Sequence, residues 1–271
     1  MWYPGHIEKA KSLIKQNLKL VDAVIEVLDA RAPYTSRAYE EEELFRNKKR
    51  IILLNKYDIC DKQKTKQWED FYKQKVGNVF SITSKNLNVK DFFVKNIYPL
   101  VPEKFNERRV MIVGIPNVGK STFINSLRGK KTAAVGAQPG ITRGIQWINV
   151  SNKLKVLDTP GVLFPKIFNK NTINKLIIIG SLKASDEELD DAVYFAFDFL
   201  KAEYPQILEN ILEDWGTCEN AYDFIELFCN KRNFLKKGNI FDYERGRNTF
   251  LNELSLGKYG GITYELPSEL I

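Results

Sequence analysis

Cysteine is scarce in this chain and histidine scarcer. The three cysteines, Cys60, Cys218 and Cys229, are odd in number, scattered and without a CxxC pair, which argues against both a disulfide framework and a zinc site. Reduced, structural thiols are expected. No apolar run approaches the roughly 20 residues of a membrane span, and the opening Met1-Trp-Tyr-Pro-Gly-His-Ile-Glu-Lys lacks the charged-then-apolar order of a secretion signal. A cytoplasmic protein with no membrane partner is the expectation. No repeat or low-complexity tract is evident, and 271 residues suffice for one large or two modest domains.

The net charge of +7 conceals an asymmetry. Residues 1–170 carry 31 Lys and Arg against 16 Asp and Glu, a net +15, whereas residues 171–271 carry 10 against 18, a net −8. A basic half of this size favours a polyanion such as RNA, with a solvated lysine-rich surface as the plainer alternative. Within the acidic half, Lys231, Arg232, Lys236 and Lys237 form the one basic cluster and are the candidate RNA contacts there.

The chain is organised around Gly114-Ile-Pro-Asn-Val-Gly-Lys-Ser121, which follows the apolar run Arg109–Val113 and precedes a helical pattern. Strand, glycine-rich loop and helix together are what a phosphate-binding loop requires. Gly114 and Gly119 allow backbone N–H groups to turn toward phosphate oxygens, and the helix start adds its positive dipole end. Lys120 would reach the outer phosphates, with Asn117, Val118, Gly119, Ser121 and Thr122 completing the cradle. The Ser121 hydroxyl would bind Mg²⁺.

Two further loops follow strand candidates. Arg50–Leu54 delivers Asn55-Lys56-Tyr57-Asp58 at its C-terminal end, where ligands bind in open α/β sheets. A carboxylate at Asp58 can accept both the N1–H and the 2-amino N–H of guanine, while adenine would leave it unpaired. Asn55 would tie loops together, and the Lys56 stem would cover a face of the base. Asn78–Ile82 leads into Thr83-Ser84-Lys85, which would place the Ser84 N–H on guanine O6 and Lys85 above the ring.

Beyond the P-loop helix, Ala137–Arg143 holds Thr142, placed to complete Mg²⁺ coordination and sense the γ-phosphate. Leu154–Leu157 ends in Asp158-Thr-Pro-Gly161. Asp158 would hold the metal, and the Gly161 N–H would touch the γ-phosphate, making a nucleotide switch. The position after that segment is Val162, which cannot orient a water. Asn117 occupies the loop position from which potassium is bound in related GTPases, so K⁺ is a further cofactor candidate.

The base-reading motifs precede the P-loop and the switch motifs follow it, the reverse of ordinary GTPases. The chain therefore resembles a circularly permuted GTPase. Trp2-Tyr-Pro-Gly-His6 before a basic helix, Asp29-Ala-Arg31, NKYD, GIPNVGKS, QPGIT and LDTPGVL resemble the YlqF/RbgA family of large-subunit assembly GTPases. The resemblance implies GTP as substrate, the large ribosomal subunit and its rRNA as partners, and His6 as the replacement for the missing glutamine beside Lys120 and Thr142. Loop packing is the alternative for His6. The roles of Asp29 and Arg31 do not follow from sequence.

The expected fold is an α/β P-loop GTPase sheet with circularly permuted strand order over residues 1–170, followed by a smaller all-α domain over residues 171–271, in a monomer. Helices are expected at Thr172–Lys183, Asp186–Tyr204, Pro205–Glu213, Glu219–Lys231 and Tyr243–Leu256, with Ser185 and Glu188 as a capping box. The expected function is GTP hydrolysis in late large-subunit assembly. The alternatives are a GTP-dependent RNA-binding module and a permuted GTPase directed at the small subunit or tRNA.

Overall fold

The computed structural model describes residues 12–37, 45–128, 146–159, 161 and 169–270. Backbone contacts divide the chain into two compact units, Met1–Lys166 with Glu265–Ile271, and Ile167–Tyr264.

The first unit is built on six strands: β1 Ala23–Asp29, β2 Lys49–Asn55, β3 Val79–Ser81, β4 Arg108–Val113, β5 Gln146–Ser151 and β6 Leu154–Asp158, in sheet order β3-β2-β1-β4-β6-β5. All pairings are parallel except the β5–β6 hairpin at one edge. A strand in the middle of a parallel sheet is covered on both faces, which explains why β1 is buried at every position. Mid-strand Glu26 is paired with Arg37 at 3.3 Å and Arg50 at 3.1 Å.

Strand order rather than chain order decides which loops meet. The chain runs outward from β1 through β2 to β3, then restarts at β4 on the other side of β1, so the crevice between β1 and β4 is a topological switch point. Parallel pairing puts the C-terminal ends of β1, β2, β4 and β6 on one edge, with Asp29 opposite Asn55 and Ile112 opposite Asp158.

Helix Lys62–Val76 packs on this sheet through Trp68 and Tyr72, both fully buried, their rings stacked 5.5 Å apart. Residues 89–100 form a composite: an α-turn at Val89–Phe92, a π-turn at Phe93–Ile97 and a 3₁₀ turn at Tyr98–Leu100. Pro99 has no N–H to continue the ladder, and the segment changes its hydrogen-bonding pattern instead.

The second unit holds helices Lys170–Ile178, Asp186–Glu203, Pro205–Ile211, Ala221–Arg232 and Tyr243–Ser255. The capping box forms: Glu188 N–H donates to Ser185 Oγ and Ser185 N–H to Glu188 Oε2. Phe197, Phe224 and Phe250 join the helices in a chain of ring contacts just over 5 Å between centroids. A hairpin of two-residue strands, β7 Leu235–Lys236 and β8 Ile240–Phe241, adds to the expected helices. The segment 260–266 is irregular, yet Ile262, Thr263, Tyr264 and Glu265 are buried.

Candidate nucleotide site

The glycine-rich loop follows β4 and enters helix Lys120–Arg128. Asn117 at φ 61° and Gly119 at φ 100° take left-handed backbone, which curls the loop back before the helix begins. A Cβ on Gly119 would lie 2.1 Å from Asn55 Nδ2, so no side chain fits there. Ser121 and Thr122 stand at the helix start, half-buried, and Val118 is fully buried.

Lys120 is 7% exposed, and its Nζ donates to the carbonyls of Gly114 and Ile115 at 2.8 Å each. Burial lowers its pKa to about 8, against the pull of Asp158 in the other direction. Asp158, at the end of β6, is buried too; desolvation raises its pKa to about 6 despite Lys120 nearby. Its Oδ1 has no hydrogen-bond partner. A buried carboxylate oxygen without a partner is costly, and a hard divalent cation fits the need. Thr159 Oγ1 donates to Ile112 O at 2.8 Å, pinning this segment to β4. Gly161 lies against Lys120: a Cβ there would sit 2.9 Å from both Lys120 Nζ and Pro116 N.

On the other side, Asn55 braces three loops. Its Nδ2 donates to Val118 O at 2.7 Å, and its Oδ1 accepts from Ser84 N–H at 3.0 Å. The Ser84 N–H, expected to face guanine O6, is therefore taken by Asn55, an acceptor already fixed in place by the P-loop. Lys56 has left-handed backbone at φ 62°, and its Nζ meets Asp29 Oδ2 at 2.7 Å. Asp58 is exposed on the 3₁₀ turn Tyr57–Ile59, Thr83 is half-buried and Lys85 exposed.

The Asp29–Arg31 pair, unexplained by sequence, acquires a role here. Both side chains are buried and joined by two bonds, Nε to Oδ1 at 2.9 Å and Nη2 to Oδ2 at 2.8 Å. Burial would raise the Asp29 pKa, but Arg31 and Lys56 together hold it well below the ordinary carboxylate range. The cluster fixes the end of the Lys56 side chain. The available signal was the DAR triplet at the end of a strand adjacent to NKYD; its meaning depended on strand pairing.

Comparison with known proteins bears on this geometry directly. A family model described as "50S ribosome-binding GTPase" matches residues 109–231, and one described as "RsgA GTPase" matches residues 38–167. Ribosome biogenesis GTPase A of Thermotoga maritima is 42% identical over 99% of this chain and 95% of its own length, and that of Priestia megaterium 38% over 99% and 97%. The chain belongs to the YlqF/RbgA family of ribosome-biogenesis GTPases.

Crystalline GNP-bound YlqF from T. maritima agrees in fold, with a TM-score of 0.69 at 34% identity over 96% of this chain and 98% of that one. As a member of the YlqF/RbgA family the protein is a GTPase, and its sheet order is that of a permuted P-loop fold. His6 and Thr142, expected to act on the γ-phosphate, lie outside the described residues. No helix among the described residues is long and apolar enough to cross a membrane.

The basic cluster of the second unit is less free than its sequence suggests. Lys231 Nζ donates to Ile211 O at 2.9 Å, Arg232 pairs with Glu253 at 3.0 Å, and Lys236 lies 3.5 Å from Asp242. Lys237 is exposed.

Proposed function

We propose that this GTPase acts in the cytoplasm in late assembly of the large ribosomal subunit, binding the immature particle in its GTP state and leaving after rRNA-stimulated hydrolysis. The observation that carries the reading is the end-to-end similarity to ribosome biogenesis GTPase A, joined to a site in which Asn55 couples the base-reading and phosphate loops. Asp58, Lys56, Thr83 and Lys85 line the base side. Asn117–Thr122 and Gly161 hold the phosphates. His6 orients the attacking water, with Lys120 and Thr142 beside the γ-phosphate.

Ser121, Thr142 and Asp158 would hold Mg²⁺, which when bound supplies charge neutralisation for the phosphates. The unpartnered Oδ1 of Asp158 supports that assignment. Asn117 would serve K⁺. Lys231, Arg232, Lys236 and Lys237 remain the rRNA contacts proposed for the second unit.

The test measures GTP hydrolysis by wild type and His6→Ala, each with and without purified large subunits, in potassium and in sodium buffer. Subunit binding is measured in parallel with a GTP analogue and with GDP. Stimulation of wild type in potassium, with His6→Ala binding normally but unstimulated, supports the reading. Equal binding with analogue and GDP, together with no stimulation, would sink it.

The raised pKa of Asp158 gives a second test. Metal binding needs the carboxylate and competes with its proton, so Mg²⁺-dependent GDP affinity should rise with pH, about tenfold per unit, up to about pH 6 and level off above. In metal-free protein the sign is opposite. A carboxyl raised from 3.8 stabilises the fold below that value, and the contribution is lost as pH rises through about 6. Asp158→Asn should flatten both profiles; Mg²⁺ titrations that give one affinity at every pH in wild type would remove Asp158 from the metal site.

A further inference from the structure

Glu265 is bonded to the loop that continues β1. Glu265 is 4% exposed, and its carboxylate accepts three hydrogen bonds from one loop: Tyr34 N–H, Thr35 N–H at 2.9 Å and Thr35 Oγ1 at 2.6 Å. Its own carbonyl accepts from Trp68 Nε1 at 2.9 Å, fixing the donor and acceptor sides of the contact independently. Such convergence on one carboxylate, more than 200 residues away in sequence, is more than surface packing requires.

The clamped loop is the continuation of β1. Two residues before it stands Arg31, and Tyr72 OH donates to Pro33 O at 3.1 Å. Ser36 Oγ, at the other end, accepts from Asp29 N–H at 2.9 Å, and Ala30 N–H donates to Asn55 O at 2.8 Å. The loop therefore sets the position of Asp29, which holds Lys56 Nζ. Without the Glu265 carboxylate, the part-buried Tyr34 N–H and the buried Thr35 N–H and hydroxyl lose their acceptor, and the loop must move to find others.

We propose that Glu265 is a positioning residue of the guanine site, acting through the 33–36 loop and Asp29 on Lys56 and Asn55. The proposal rests on the reading of NKYD as the guanine-binding motif. It places a specificity determinant at the far end of the chain, outside every nucleotide motif. Glu265 does not touch the nucleotide, so it should govern how firmly the base is held and leave the phosphate chemistry largely to the P-loop.

The experiment uses the full chain as wild type, Glu265→Ala, which removes both acceptor oxygens, and Thr35→Val, which removes only the hydroxyl donor in case Glu265→Ala fails to fold. Dissociation of GDP, of ADP and of inosine diphosphate, the last lacking the 2-amino group read by Asp58, is followed beside kcat and KM for GTP. GDP dissociation should quicken about three- to tenfold, the preference for GDP over inosine diphosphate should shrink, and KM should rise more than kcat falls. A folded variant that releases GDP at the wild-type rate overturns the proposal, as does equal loss of both nucleotides together with kcat, the mark of a merely structural role. Wild type that fails to prefer GDP over ADP would instead bring down the guanine reading itself, and the proposal with it.

Discussion

Replacing Asp58 by Asn should weaken GTP and GDP binding by about a thousandfold, close to 4 kcal/mol, and turn the site toward xanthine nucleotides. The carboxylate offers two acceptors to the two adjacent donors of guanine. An asparagine side chain offers one acceptor and one NH₂, so its donor faces the 2-amino donor of guanine and neither is satisfied. Xanthine carries a carbonyl at that position and suits the NH₂. Asp58 stands exposed on a short turn, so the substitution should leave stability near wild type. Competition binding with GTP and xanthosine triphosphate reads the effect. An unchanged preference would mean that Asp58 does not read the base.

The second large effect is expected at Gly119→Ala. Two costs coincide there: left-handed backbone at φ 100° disfavours any side chain, and the new methyl would lie 2.1 Å from Asn55 Nδ2. Asn55 cannot swing aside cheaply, because it holds Val118 O with one end of its amide and Ser84 N–H with the other. The P-loop must shift or the brace must break, and either separates the phosphate loop from the base loops. Affinity for GTP and GDP should fall at least about a hundredfold, with about 1–3 kcal/mol of fold stability lost. Calorimetric GDP titration and denaturant melting measure the two. Wild-type affinity in this variant would mean that the close approach of Gly119 to Asn55 is not required for nucleotide binding.

Most of the architecture was legible in the order of residues. The expected strand Arg50–Leu54 is found as Lys49–Asn55, and the expected strand Leu154–Leu157 as Leu154–Asp158. These signals are local: a parallel strand buried on both faces must be apolar throughout, and a helix start needs an acceptor for its free N–H groups. The motifs GIPNVGKS, NKYD and DTPG are likewise contiguous, so their chemistry can be read without knowing what surrounds them. The permuted order was legible too, since it is a fact about sequence.

What tertiary structure alone decided is which distant groups share a bond. The Asp29–Lys56 pair exists because β1 and β2 are in the register that sets Asp29 beside Asn55. The Ser84 N–H is occupied because Asn55, fixed by Val118, reaches it first. The Lys231–Lys237 cluster looked free in sequence and proves largely engaged, because its acceptors, Ile211, Glu253 and Asp242, come from other elements. Glu265 stands 230 residues from Thr35 and carries no motif of its own. Periodicity and turn chemistry record what each residue needs from near neighbours and from water. They carry no record of which remote acceptor will meet a buried donor, because that depends on strand register and loop path, which the packed chain settles together.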